Sequence, residues 1–343
     1  MWKCKLFKCA FADKGYIACI RMEVKALHNS IPMDRGKRVA RQRSTLWGDL
    51  KKHYFLYLML APALILTLIF KYGPMYGAII AFKDFSPIKG IMGSEWVGLY
   101  NFEKFLSSPN FEVIFMNTLK LSLFGLILSF PVPILLALML NQVRRAGVKK
   151  NIQLFLYAPN FISVVVVVGM LFIFLSPTGP VNQLFSWITG DPVMFMSRPE
   201  YFRWIYILSD IWTGAGWASI IYVAALANVD PELHNAANLD GANLLQRIRH
   251  IDLPTIRPIM AIVFILAAGG IMSIGFEKAY LMQTATNLPT SEIIPTYVYK
   301  IGLQSGDYAY SAAVGLFNSI INVILLLTVN FTVKKLNEGE GLY

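Results

Sequence analysis

Charge is scarce in this sequence: only 15% of its 343 residues are Asp, Glu, Lys or Arg. Cysteine is scarcer, with Cys4, Cys9 and Cys19 as the whole supply, and no Cys-x-x-Cys or matching His pair accompanies them. That argues against a zinc site or a disulfide framework, so no metal and no cofactor is expected. A Walker-type Gly-rich phosphate loop is missing, so any ATP chemistry must belong to a partner. The four histidines, His28, His53, His234 and His250, come without a carboxylate-rich motif. A membrane glycosyl or lipid-phosphate transferase is therefore a weak alternative. A self-powered secondary transporter would favour inverted repeats and midplane charges. No convincing repeat is present, and Asp210 alone is thin support for that second alternative.

Apolar residues are abundant. They make up 56% of the chain, and mean hydropathy is +0.52. This balance predicts an all-α, polytopic membrane protein. The net charge of +11 is uneven: residues 1–53 hold 13 basic and 4 acidic residues. A basic cytoplasmic tail explains this better than nucleic-acid binding, which is not expected. No apolar run follows the early lysines, so the tail does not read as a secretory signal. Every cysteine precedes Met33, and residues 1–32 carry no recognisable motif; the expected natural start is Met33.

A bilayer core of about 30 Å needs roughly 20 helical residues. Six apolar runs meet that need: about Tyr54–Phe70, Val113–Leu140, Ile152–Leu175, Tyr201–Ala227, Thr255–Tyr280 and Tyr308–Val333. Residues 54–112 are expected to hold the first span and an aromatic-rich segment along the outer interface. Residues 113–335 are expected to form the transmembrane core, and 336–343 a short tail. Pro131 and Pro133 should kink the second span. Basic residues gather in the N-terminal tail, at Arg144–Lys150, at Arg247 and Arg249, and at Lys334 and Lys335. With six spans these all fall on one side, so the positive-inside rule places both termini in the cytoplasm of a cell-membrane protein.

One long polar helical stretch, residues 230–254, interrupts the membrane-embedded part: DPELHNAANLDGANLLQRIRHIDLP. Asp230 is a good N-cap, and Pro231 suits the first helical position. Asp240-Gly241 should bend the chain. Leu244, Ile248 and Ile251 then form an apolar stripe at i, i+4 and i+7. Two short helices at an angle are expected, lying at a membrane surface and presenting a polar face.

The stretch resembles the EAA loop of permease subunits of binding-protein-dependent ABC importers. Asn235-Ala236-Ala237, Gly241, Ile251 and Leu253-Pro254 stand at the family spacing. Asn235 replaces the family's motif Glu, which removes one expected ionic contact; Glu232 is the nearest acid that could compensate. Asp230-Pro231-Glu232-Leu233 and Asp240-Gly241-Ala242 resemble the carbohydrate-uptake branch. Gly275 to Gln283 resembles its subgroup for polysaccharide breakdown products. The resemblance implies a six-span permease whose cytoplasmic loop docks into an ATPase dimer. It also implies a second homologous permease, an extracytoplasmic solute-binding protein, a sugar substrate and surrounding lipid. The chain itself would not be an enzyme.

A sugar path needs hydroxyl-bonding groups and aromatic faces. In the fourth span Asp210, Gly214 and Trp217 share one face at i, i+4 and i+7. A mid-span acid is either functional or a structural carboxylate paired with a neighbouring helix. In the fifth span Ser273, Phe276, Glu277 and Tyr280 are expected to project from the outer half. Relatives of maltose type take sugar contacts from these two helices. Gly214 matches one such position, whereas Ala267, Gly270 and Ile271 do not, so a wider passage for longer oligosaccharides is expected.

Overall fold

A computed structural model describes residues 53–143, 145–272 and 275–336. The expected basic tail with its cysteines, the expected start at Met33, the C-terminal tail and Ser273 lie outside the described residues. The chain divides into two compact units, residues 1–72 and 73–343. Among the described residues of the first, helix α1 (Tyr54–Thr67) continues through a π turn, Leu68–Tyr72. None of its residues is buried within the chain. A helix that is apolar on every side calls for lipid or a partner around it.

The second unit is almost wholly helical among the described residues. Its only strands there are β1 (Lys83–Asp84) and β2 (Glu95–Trp96), antiparallel, with Lys83 opposite Trp96. Its long helices are α2 (Phe111–Ser129) and α3 (Pro131–Asn141), α4 (Ala146–Tyr157) and α5 (Val164–Phe174), and α6 (Pro199–Leu226). Then come α7 (Pro231–Leu239), α8 (Leu244–Arg247), α9 (Leu253–Gly269), α10 (Phe276–Met282) and α11 (Tyr308–Leu336).

Five helical runs are long and apolar enough to cross a membrane, and a sixth qualifies if a bent pair counts as one span. The fold is that of an all-α polytopic membrane protein. In the second span the prolines do not break the run. Pro131 begins α3 directly after α2, and Phe130 keeps its bond to the Leu126 carbonyl at 3.0 Å. Pro at the start of a helix loses no intrahelical bond.

The third and fifth spans differ from expectation. The third is not one straight helix: Ala146–Phe161 and Val164–Phe174 meet at 97°. Pro159 sits in a tight 3₁₀ turn, Ala158–Phe161, after which Ile162 and Ser163 are extended. The fifth span ends at Gly269 rather than Tyr280, because Gly270 leaves the helix and α10 starts afresh at Phe276. Adjacent glycines lower helix propensity by about 1 kcal/mol each relative to Ala.

The core lies in three clusters. Leu121, Val168, Phe202, Tyr206, Ala279 and Met282 unite α2, α5, α6 and α10. Ile134, Leu138, Tyr222, Leu226 and Ile256 unite α3, α6 and α9. Phe105, Ile114, Met272, Ile294 and Val314 form the third, around α11. Gly216 brings α6 against α4, since a Cβ there would overlap the Leu156 carbonyl. Small residues let membrane helices approach in this way. Polar groups pin the segment after α10 to the bundle. Asn117 donates to the Pro289 carbonyl at 2.8 Å, and the Ile294 N–H donates to Thr118 at 2.9 Å.

Candidate functional site

The 230–254 stretch is built from local signals. Asp230 Oδ1 accepts the Glu232 N–H at 2.9 Å, capping α7, and Pro231 opens the helix. The helix closes where Gly241 takes φ +77°, with the Ala242 N–H returning to the Ala237 carbonyl at 2.9 Å. That left-handed geometry suits glycine. Asn243 and Gln246 then form a reciprocal capping box, with bonds of 2.9 and 2.7 Å, and start α8.

From α8 the chain does not stop at Leu253-Pro254 but runs into α9 through a π turn, Ile248–Asp252. Pro254 lacks an N–H and would crowd a carbonyl one turn back. The wider turn, in which the Leu253 N–H reaches the Ile248 carbonyl, accommodates it.

Glu232, Asn235, Ala236, Asp240 and Gly241 are exposed, as is Pro254, while Ala237, Ile251 and Leu253 are half-buried. Ile251 and Leu253 pack on the α3–α6–α9 core. Ala237, Asp240, Gly241 and Ile251 line a cleft of about 430 Å³ with Gln246, Arg247 and His250.

Two contacts in this stretch escaped sequence reasoning. His234 Nε2 on α7 lies 3.2 Å from Asp252 Oδ1, and Asp252 is fully buried. Arg247 Nη1 donates to Asn238 Oδ1 at 2.7 Å. The available signal was the acid of Ile251-Asp252-Leu253, a charge between two residues that pack inward.

Along α6, Asp210, Gly214 and Trp217 do share a face. A Cβ at Gly214 would meet nothing within 4 Å, and the Trp217 ring, 48% exposed, meets Phe161 edge-on at 5.6 Å. Asp210 is paired: Lys278 Nζ on α10 lies 2.6 Å from its Oδ1. The same ammonium donates to the Tyr206 carbonyl at 2.9 Å and sits 4.5 Å from the Tyr206 ring. Lys278 is nearly enclosed, whereas the Asp210 side chain is 46% exposed.

Phe276, Glu277 and Tyr280 lie on α10, not on the fifth span. Phe276 and Tyr280 stack at 5.6 Å, and both rings touch Tyr299, at 4.9 and 5.0 Å. Gln304 donates to the Tyr280 hydroxyl at 2.9 Å, and Glu277 is exposed.

The family described as binding-protein-dependent transport system inner membrane component matches residues 129–338. The chain belongs to this family. It is 45% identical over 303 residues to the polygalacturonan/rhamnogalacturonan transport system permease protein of Bacillus subtilis (strain 168), covering 88% of this chain and 94% of that one. It is 29% identical over 307 residues to the arabinooligosaccharides transport system permease protein of the same organism, covering 86% and 94%. Among solved structures it resembles a bacterial ABC transporter that imports the acidic polysaccharide alginate, with TM-score 0.78 and 41% identity over 85% of this chain and 99% of that chain. A second structure, of a bacterial alginate transporter in complex with an alginate pentasaccharide-bound periplasmic protein, matches with TM-score 0.79 and 40% identity over 87% and 99%. The chain is thus a membrane permease of a transport system, and membership of the binding-protein-dependent family favours that reading over a self-powered secondary transporter and over a membrane transferase.

Proposed function

We propose that this chain is the membrane-spanning subunit of an ATP-driven importer of oligosaccharides rich in uronic acid. The observation that carries the reading is its identity of 41–45% with permeases of polygalacturonan/rhamnogalacturonan and alginate uptake. In this reading it pairs with a second homologous permease, sits on a cytoplasmic ATPase dimer and receives sugar from an extracytoplasmic binding protein. The basic residues flanking the spans support a cytoplasmic position for its termini and for the 230–254 loop.

Asp230 to Pro254 is then the coupling loop. The exposed Glu232, Asn235 and Ala236 meet the ATPase, and Ile251 and Leu253 root the loop in the core. ATP binding moves the loop, and the helices rock between inward-open and outward-open states. ATP must bind the two states differently to shift their balance.

Asp210, Gly214 and Trp217 would line the sugar path, with Phe276, Glu277 and Tyr280 nearer the outside. Pairing with Lys278 offsets the Asp210 charge, which supports passage of an anionic sugar there. The test is ATPase stimulation of the reconstituted importer and its binding protein by a panel of sugars. Oligogalacturonates should stimulate; stimulation by neutral arabino-oligosaccharides alone would replace the substrate class.

A further inference from the structure

The coupling-loop reading leaves open how a nine-residue helix passes force to the bundle. A lever works only if it cannot pivot freely at its root, and Gly241 is a conformationally permissive joint there. Two side-chain contacts bridge that joint. Both start from one face of α7, at His234 and Asn238, which are spaced i and i+4. Both end at the foot of the fifth span, at Asp252 and Arg247.

The π turn sets this second pair on one face. Residues five apart in an α-helix lie about 140° apart around the axis. The extra residue of a π turn lets Arg247 and Asp252 align as an i, i+4 pair would. Asp252 is fully buried, and its neighbouring charged or titratable groups are His234 and Arg247. Apart from the His234 contact, neither Asp252 oxygen nor Arg247 Nε finds a hydrogen-bond partner among the described residues. An enclosed carboxylate of this kind is costly unless an opposite charge stays beside it.

Resting on the coupling-loop reading, we propose that His234 and Asp252 form a clasp, backed by Asn238 and Arg247, that locks α7 to the foot of α9 so that the two move as one rigid lever. His234 and Asp252 are positioning residues, and they touch neither sugar nor nucleotide.

The test uses the complete reconstituted importer without native cysteines and with spin labels at Leu239→Cys and Ile262→Cys, both exposed positions. The clasp predicts one narrow label distance, unchanged between nucleotide-free and ATP-bound states. Asp252→Asn should broaden it and lower trigalacturonate uptake per ATP about tenfold while ATP turnover continues. The exchange His234→Asp with Asp252→His should restore both. Should Asp252→Asn fail to assemble, His234→Gln at a half-buried site poses the same question. A distance that stays narrow in the single variants, with unchanged uptake per ATP, overturns the clasp. A wild-type complex that ignores trigalacturonate yet shows the label behaviour would reject the substrate class and leave the clasp standing.

Discussion

Lys278 and Asp210, 68 residues apart, close a 2.6 Å ion pair between a short helix and a long membrane span. Lys278 has little other polar company: the Tyr206 carbonyl accepts a second hydrogen bond from it, and the Tyr206 ring covers its flank. The pair fastens α10 to α6 where the fifth span has already ended.

Removing the acid should therefore be felt as lost stability. Asp210→Asn leaves the buried ammonium without its counter-ion. Breaking a buried pair costs about 3–5 kcal/mol, and partial exposure of Asp210 places this one near the lower figure. The Tm of the complex in detergent should drop, and Asp210→Asn with Lys278→Met should recover much of it.

Gly241→Pro should uncouple the loop. Gly241 needs φ +77°, which proline cannot adopt, and its N–H bonds to the Asn238 carbonyl at 3.2 Å. Membrane insertion should be normal in fractionation, while sugar uptake falls to background.

Glu232 is exposed one turn before Asn235 and, in the proposed coupling loop, would supply the acid that Asn235 lacks. Glu232→Ala should weaken association with the ATPase by up to about 1 kcal/mol, as expected for an exposed contact. Adding Asn235→Glu should restore it. Retention of the ATPase subunit over a salt series measures both effects.

Gly216→Val places a side chain where the Leu156 carbonyl stands. Overpacking of this kind costs about 1–3 kcal/mol. Yield of folded permease in size-exclusion chromatography should fall, whereas Gly214→Ala, with open space above it, should be tolerated.

Trp217→Ala should raise the KM for oligosaccharide uptake about three- to tenfold, the value of one aromatic contact. The kcat should hold, because the ring would bind sugar without transmitting force.

Much of the fold was legible because long apolar runs have few alternatives in a bilayer. The fourth and sixth spans begin and end within about three residues of their expected limits. The third bends and the fifth ends early where hydropathy stays high but the backbone does not comply, at Pro159 and at Gly269-Gly270. The caps at Asp230 and Gly241 were readable, because each depends on neighbours in sequence. The partners of Asp210 and Asp252 were not, because Lys278 and His234 arrive from other helices. A single sequence shows that a buried acid needs a counter-charge but does not say which one comes.

The most direct test is purification of the tagged chain from its native membrane in mild detergent, with mass spectrometry of what accompanies it. An importer subunit should bring a second six-span permease and an ATPase in fixed proportion. Recovery of the chain alone, or only as a homodimer, across several detergents would contradict that assignment.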